Sequence, residues 1–160
     1  MKNIRQWFRN AVLVLAGVML LAACGNPAKS DLQAIAKVIS DTGFTPAKTQ
    51  EYQQRLRQAK SEAEVKATLG EMTQYFEKVP ASLNALSLKT DEGRSIRDDF
   101  SQGIDKLVRG TKQVIAAPAK DSQAQEAASR LAMEGLQQFV QGLNKFMVAA
   151  EREGIKLDNK

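Results

Sequence analysis

The chain has 160 residues, with 23 Lys+Arg against 18 Asp+Glu, one cysteine and no histidine. That composition removes Ser-His-Asp and Cys-His nucleophile systems, the usual His/Cys zinc sets, His-ligated haem and the Glu-x-x-His di-iron pattern of helical bundles. Its length suffices for one domain with a core of its own.

Lys2, Arg5 and Arg9 open the chain, and Ala11 to Ala23 follow without a charge and end in small residues. A positive start, an apolar run and a small-residue end are the marks of an export signal. A spanning helix needs about 20 apolar residues to cross roughly 30 Å of hydrocarbon. The run supplies thirteen and is closed upstream by Arg9 and Asn10, so a cleaved signal over residues 1–23 is favoured over an uncleaved anchor.

Leu21-Ala22-Ala23-Cys24 at the end of this run resembles the lipobox of bacterial lipoproteins. The resemblance implies a diacylglycerol thioether on Cys24, lipoprotein-type cleavage between Ala23 and Cys24, and a freed amine open to acylation. It covers residues 1–24. By the same resemblance, Gly25 in place of an aspartate after the cysteine favours the outer membrane, facing the periplasm. Removing residues 1–23 takes three cations and no acid, leaving 20 cations against 18 acids and a formal charge of +2. That is weak support for a nucleic-acid partner, and none is expected. With Cys24 used by lipid no disulfide can form, so stability must come from packing.

Residues 24–29 read as a lipidated N-terminus and a short polar tether, and 30–154 as the folded domain. Five extended residues reach on the order of 15 to 18 Å, which keeps that domain close to the membrane. Ser30-x-x-Gln33 has capping-box spacing and predicts the first helix start, with Leu32, Ile35, Ala36, Val38 and Ile39 as its apolar face and Gly43 as its stop. Thr45-Pro46 starts a polar second helix to about residue 60, with a thin stripe of Tyr52, Leu56 and Ala59. Val65, Leu69, Met72 and Phe76 project nearly half a turn away from that stripe. The spacing therefore predicts a break near Lys60-Ser61.

The third helix is expected to run to about Val79, ended by Pro80. Ala81 to Lys89 reads as a connector burying Leu83, Leu86 and Leu88. Thr90 caps a long helix whose face is Ile96, Phe100, Ile104, Leu107, Val114 and Ile115, closed by Pro118. The last helix begins in Asp121-Ser122-Gln123-Ala124-Gln125, again with Ser-x-x-Gln spacing. It carries Ala128, Ala132, Leu136, Phe139, Leu143, Phe146, Met147 and Ala150 and ends at Gly154, leaving 155–160 as a tail. The prolines at 27, 46, 80 and 118 fall between segments, and no alternating strand pattern occurs. The fold class is all-α: an antiparallel bundle of four to five helices behind a short lipid tether, with 91–117 and 122–152 as its central hairpin.

No catalytic, metal-binding or cofactor-binding residue is assigned, and no phosphate-cradling glycine loop exists. Asp98, Asp99 and Asp105 form the best acidic cluster; with Arg94 and Arg109 four residues from Asp98 and Asp105, a solvated charged face is the simpler account, and Asp-based catalysis or cation binding the alternative. The basic run Arg55, Arg57, Lys60 and Lys66 is diluted by Glu51, Glu62 and Glu64, so ordinary surface charge is preferred over contact with anionic headgroups. Gly103 with Gly110, and Gly135 with Gly142, are each seven apart at the edge of an apolar stripe. They point to close approach of the last two helices or to a partner groove. The functional expectation is a non-enzymatic, lipid-anchored envelope lipoprotein whose helical domain serves as a protein-interaction or assembly module for an envelope protein. The alternative is a small apolar ligand held between helices near Phe76, Phe100, Phe139, Phe146 and Met147.

Overall fold

Four side chains start four helices, each by the same local chemistry. Thr45 accepts from the Lys48 N–H, Ser61 from Glu64, Thr90 from Gly93 and Asp121 from Ala124, in each case satisfying an amide that the first helical turn leaves without a partner. The computed structural model describes residues 25–118 and 120–155. Its elements are α1 (Pro27–Ser40), α2 (Pro46–Gln58), α3 (Glu62–Gln74), a short α4 (Val79–Asn84), α5 (Asp91–Ala116) and α6 (Ser122–Arg152). No strand occurs among the described residues, and none of their helices is long and apolar enough to cross a membrane. The chain is an all-helical bundle.

Three boundaries differ from the sequence reading. Helix α1 begins one turn before Ser30: Asn26 Oδ1 accepts from the Lys29 N–H at 3.1 Å and Pro27 takes the first helical position, where its missing N–H costs nothing. The tether drawn over 24–29 is therefore helical from Pro27, and Gly25 alone of the described residues precedes the cap. At the other boundary, α3 ends at Gln74, and Pro80 lies in the first turn of α4 instead of closing the helix before it. The chain end also packs: Gly154 has φ +64, Ile155 N–H donates to Ala150 O at 2.8 Å, and Ile155 rests on the core instead of joining a tail. Residues 156–160 lie outside the described residues. The expected break at Lys60-Ser61 is present, with Ala59 extended and Glu64 Oε2 accepting from the Lys60 N–H at 2.8 Å.

Helices α5 and α6 form the central hairpin, and glycine makes their contact possible. A Cβ at Gly103 would lie 2.5 Å from Phe139 N, one at Gly110 2.7 Å from Ala132 Cα, and one at Gly135 2.6 Å from Gly103 O. These are backbone atoms of the facing helix, so the two main chains pass with no room for a side chain. Of the two readings of these glycines, close helix approach is the one found. Gly142 sits in a looser place, 3.0 Å from Asp99 Cβ.

Around this hairpin the core holds Ile96, Phe100, Ile104 and Val108 of α5 and Leu143, Phe146, Ala149 and Ala150 of α6. Helix α1 lays Leu32, Ile35, Ala36 and Ile39 on them, and α4 adds Val79 and Leu83. Each fully buried Leu or Ile contributes about 2 kcal/mol from apolar area. Met147, placed in the core stripe by its spacing, is instead 39% exposed: the buried face of α6 runs through Gly135, Gly142, Leu143, Phe146, Ala149 and Ala150, and Met147 falls beside it.

The glycine contacts set a testable contrast. Gly135→Ala must push α6 off α5 and should cost about 3 kcal/mol in urea unfolding. Gly70→Ala, where a Cβ would meet only Ile115 Cδ1 at 3.9 Å, should leave stability unchanged or raise it by up to about 1 kcal/mol. Equal effects of the two would contradict the close passage.

Candidate functional site

Both ends of the described chain meet at one end of the bundle. Asn26, already capping α1 through Oδ1, donates through Nδ2 to Glu153 Oε2 at 2.6 Å. Arg152 donates from Nε to Glu153 Oε1 at 3.1 Å, and its two terminal nitrogens take Glu92 of α5 in a fork at 3.1 and 2.5 Å. Glu92 and then Glu153 push the Arg152 guanidinium pKa further up, while Asn26 and then Arg152 hold the Glu153 carboxyl low. Asn26 and Arg152 are exposed and Glu92 and Glu153 only partly buried, so these contacts define position more than stability. Cys24 and the Ala23-Cys24 bond lie outside the described residues; Cys24 is two positions before Asn26.

Just inside this end, α1 is locked to the start of α5 by a buried carboxylate. Asp31 is 3% exposed and accepts from the Lys89 N–H at 3.0 Å, the Thr90 N–H at 2.8 Å and the Thr90 hydroxyl at 2.7 Å. Thr90 Oγ1 in turn accepts from the Gly93 N–H, and a Cβ on Gly93 would lie 2.7 Å from Asp31 Oδ2. Burial pushes the Asp31 carboxyl up, but the Lys89 N–H, the Thr90 hydroxyl and N–H and the Lys89 charge together outweigh it. They hold it below the usual carboxylate value. Sequence reasoning passed over Asp31, seeing only a residue between Ser30 and Leu32.

The acidic cluster is divided among separate ion pairs. Asp98 pairs with Arg97 at 2.7 Å, Asp99 with Lys145 of α6 at 2.6 Å and Asp105 with Arg109 at 3.3 Å. Arg94, expected beside Asp98, turns to Asp91 and to Leu88 O. Among the described residues no group of three His, Cys, Asp or Glu side chains is placed to hold a metal ion. The basic run is likewise dispersed. Arg55 forks onto Glu71 and lies 5.3 Å over the Tyr52 ring, Arg57 reaches Gln53, and Lys66 pairs with Glu62 and donates to Ala117 O.

The aromatic residues expected to surround a ligand do not form one site. Phe100 packs on Phe139 and Phe146 with ring centroids 5.2 and 6.2 Å away, which fills that region. Phe76 belongs to a different cluster with Phe44, Tyr52 and Tyr75. The apolar cavity, of about 230 Å³, instead lies between α2, α3 and α5, walled by Leu56, Leu69, Met72, Phe76, Leu107 and Val108. It exists because α2 rests mainly on α3 and leaves this part of α5 uncovered.

A family model described as uncharacterised lipoprotein PM1805 matches residues 29–151. No curated protein and no solved structure matches the chain.

The Asp31 lock carries a signed pH dependence. A carboxyl whose folded pKa lies below its unfolded value of about 3.9 contributes stability that is full above that value and lost as pH falls through the folded one. Asp31→Asn should lower stability at pH 7 by about 2 kcal/mol, because an amide donor then faces backbone donors. It should also flatten the loss of stability below about pH 4. Urea titrations across pH check both, and a variant as stable as wild type at neutral pH would contradict the lock.

Proposed function

The chain belongs to the uncharacterised lipoprotein family PM1805, and from that premise we propose that Cys24 carries the lipid, that cleavage falls after Ala23, and that the helical domain is a non-catalytic protein-interaction or assembly module. Two or more acyl chains hold a protein stably, at about 0.8 kcal/mol per buried CH₂. The lipobox-like Leu21-Ala22-Ala23-Cys24 supports the site, and Gly25 after the cysteine supports the outer membrane, facing the periplasm. Attached there, the domain has almost no leash. Cys24 and Gly25 together reach about 7 Å, so the Asn26–Arg152–Glu92 end sits against the headgroups.

The observation that carries the interaction reading is the outer side of α6. Met133 is 46% exposed, Met147 39% and Val148 67%, the large exposed apolar side chains among the described residues. Met133, the partly buried Val140 and Met147 are seven residues apart, so they continue one stripe past the edge of the α5 contact. A surface apolar stripe on the otherwise polar outer side of a helix marks a contact face, and flexible methionine suits it to a protein surface.

A photo-crosslinking residue at Val148, used in intact cells, should give one discrete higher-mass adduct that Met133→Glu weakens. The same residue at Gln50 on the outer side of α2 should give none. Equal, diffuse labelling from both positions would contradict the assignment of the α6 face.

A further inference from the structure

We propose that α2 is a releasable strap: it detaches from α3 and unfolds as one unit, uncovering the apolar wall between α3 and α5 while the rest of the bundle stays folded. This goes beyond the interaction reading and concerns a different surface, so either can fail alone.

Little holds α2 in place. Among its described residues only Thr49 and Tyr52 are buried, and its helix contacts are mainly with α3. The Thr49 hydroxyl is spent at the helix start, donating to Thr45 O at 3.1 Å. Tyr52 meets Tyr75, at the end of α3, edge-on with ring centroids 6.3 Å apart. Arg55 forks onto Glu71 at 2.5 and 2.9 Å, but both side chains are more than one-third exposed, and exposed pairs hold weakly. A 13-residue helix is marginal in water by itself, so α2 does not stay helical once it leaves α3.

The closed state is also incompletely satisfied. A space of about 230 Å³ remains between Leu56 of α2 and Leu69, Met72, Phe76, Leu107 and Val108, with Thr49, Gln53, Thr73 and Thr111 completing its lining. That void forfeits the dispersion contacts that would fasten α2 to the wall. Gln53 Oε1 accepts from Arg57 at 3.4 Å, but the buried Nε2 has no acceptor. Release gives this amide to water and removes a cost that only the closed state carries.

The chain is fastened again on either side. Phe44 packs on Phe76 and Tyr75 with ring centroids 4.9 and 5.4 Å away, and Ser61 caps α3 through the Glu64 N–H. Thr45 (φ −86, ψ 164) and Ala59 (φ −57, ψ 126) are already extended. Helical order can therefore end at both points without disturbing the neighbouring elements.

Hydrogen exchange of the lipidated mature protein in nanodiscs, followed by mass spectrometry at low urea, tests this directly. Residues 49–58 should exchange together, with a small urea dependence and at least about 100-fold faster than 96–108 and 143–150. Glu71→Gln, which breaks the fork, should speed α2 exchange about fivefold and leave α5 and α6 unchanged. Gln53→Leu, which removes the unpaired donor at nearly equal helix propensity, should slow it about tenfold. A thiol introduced by Thr73→Cys on the cavity wall should react with a maleimide as fast as α2 opens. Ser101→Cys, similarly buried but beneath α4, should stay unreacted on that timescale. The proposal is overturned if α2 exchanges only as slowly as α5, if its exchange runs inward residue by residue from the ends, if Gln53→Leu fails to slow it, or if the two thiols react alike.

Discussion

Everything in this fold depends on how closely α5 and α6 can pass. At Gly103, Gly110 and Gly135 a single methyl group would strike the backbone of the opposite helix. Helices carrying ordinary side chains pack 8–10 Å apart; glycine lets this pair approach until main chain meets main chain. The rest of the core is arranged around that contact. Phe100 and Phe146 fill the space beside it, and Ala149 and Ala150 leave a shallow surface on which α1 lies. Small residues thus set the geometry, and large ones supply most of the buried area.

Helix α1 is held by two kinds of interaction with different consequences. Its apolar face provides attraction without direction, since Leu32, Ile35 and Ile39 could slide along the hairpin at modest cost. Asp31 removes that freedom, because its oxygens fit only where the Lys89 and Thr90 amides and the Gly93 gap come together. Asn26, Glu153, Arg152 and Glu92 then close the same end of the bundle. Individually these exposed contacts contribute little. Together they fix Asn26, two positions after Cys24, against the end of the bundle.

How much of this was legible in the residues follows from the range of each interaction. The caps at Thr45, Ser61 and Thr90 act within four residues, and their helix starts were readable. Ser30 and Asn26 are both good caps one turn apart; Asn26 also bonds to Glu153, 127 positions away, a contact no local pattern contains. Pro80 suits a helix end and a helix start equally well. The seven-residue glycine spacing was visible, but which face it met needed the partner helix. Asp31 was invisible because its partners lie 58 and 59 residues downstream. The spacing of the phenylalanines suggests a cavity among them, but Phe100, Phe139 and Phe146 fill one another's space; the apolar cavity arises from the incomplete cover of α5 by the polar helix α2.

The central claim is that the domain is joined to its lipid without a flexible stalk. Cys24 is the chain's one cysteine, so where it carries the proposed lipid, single engineered cysteines can carry spin labels cleanly. The most direct measurement is the membrane depth and mobility of a label at Glu151, near the Asn26 end, compared with one at Lys120 in the opposite loop, in the mature lipoprotein on vesicles. The account predicts a Glu151 label of restricted motion at headgroup level and a Lys120 label in water. Two equally mobile, fully aqueous labels would contradict it.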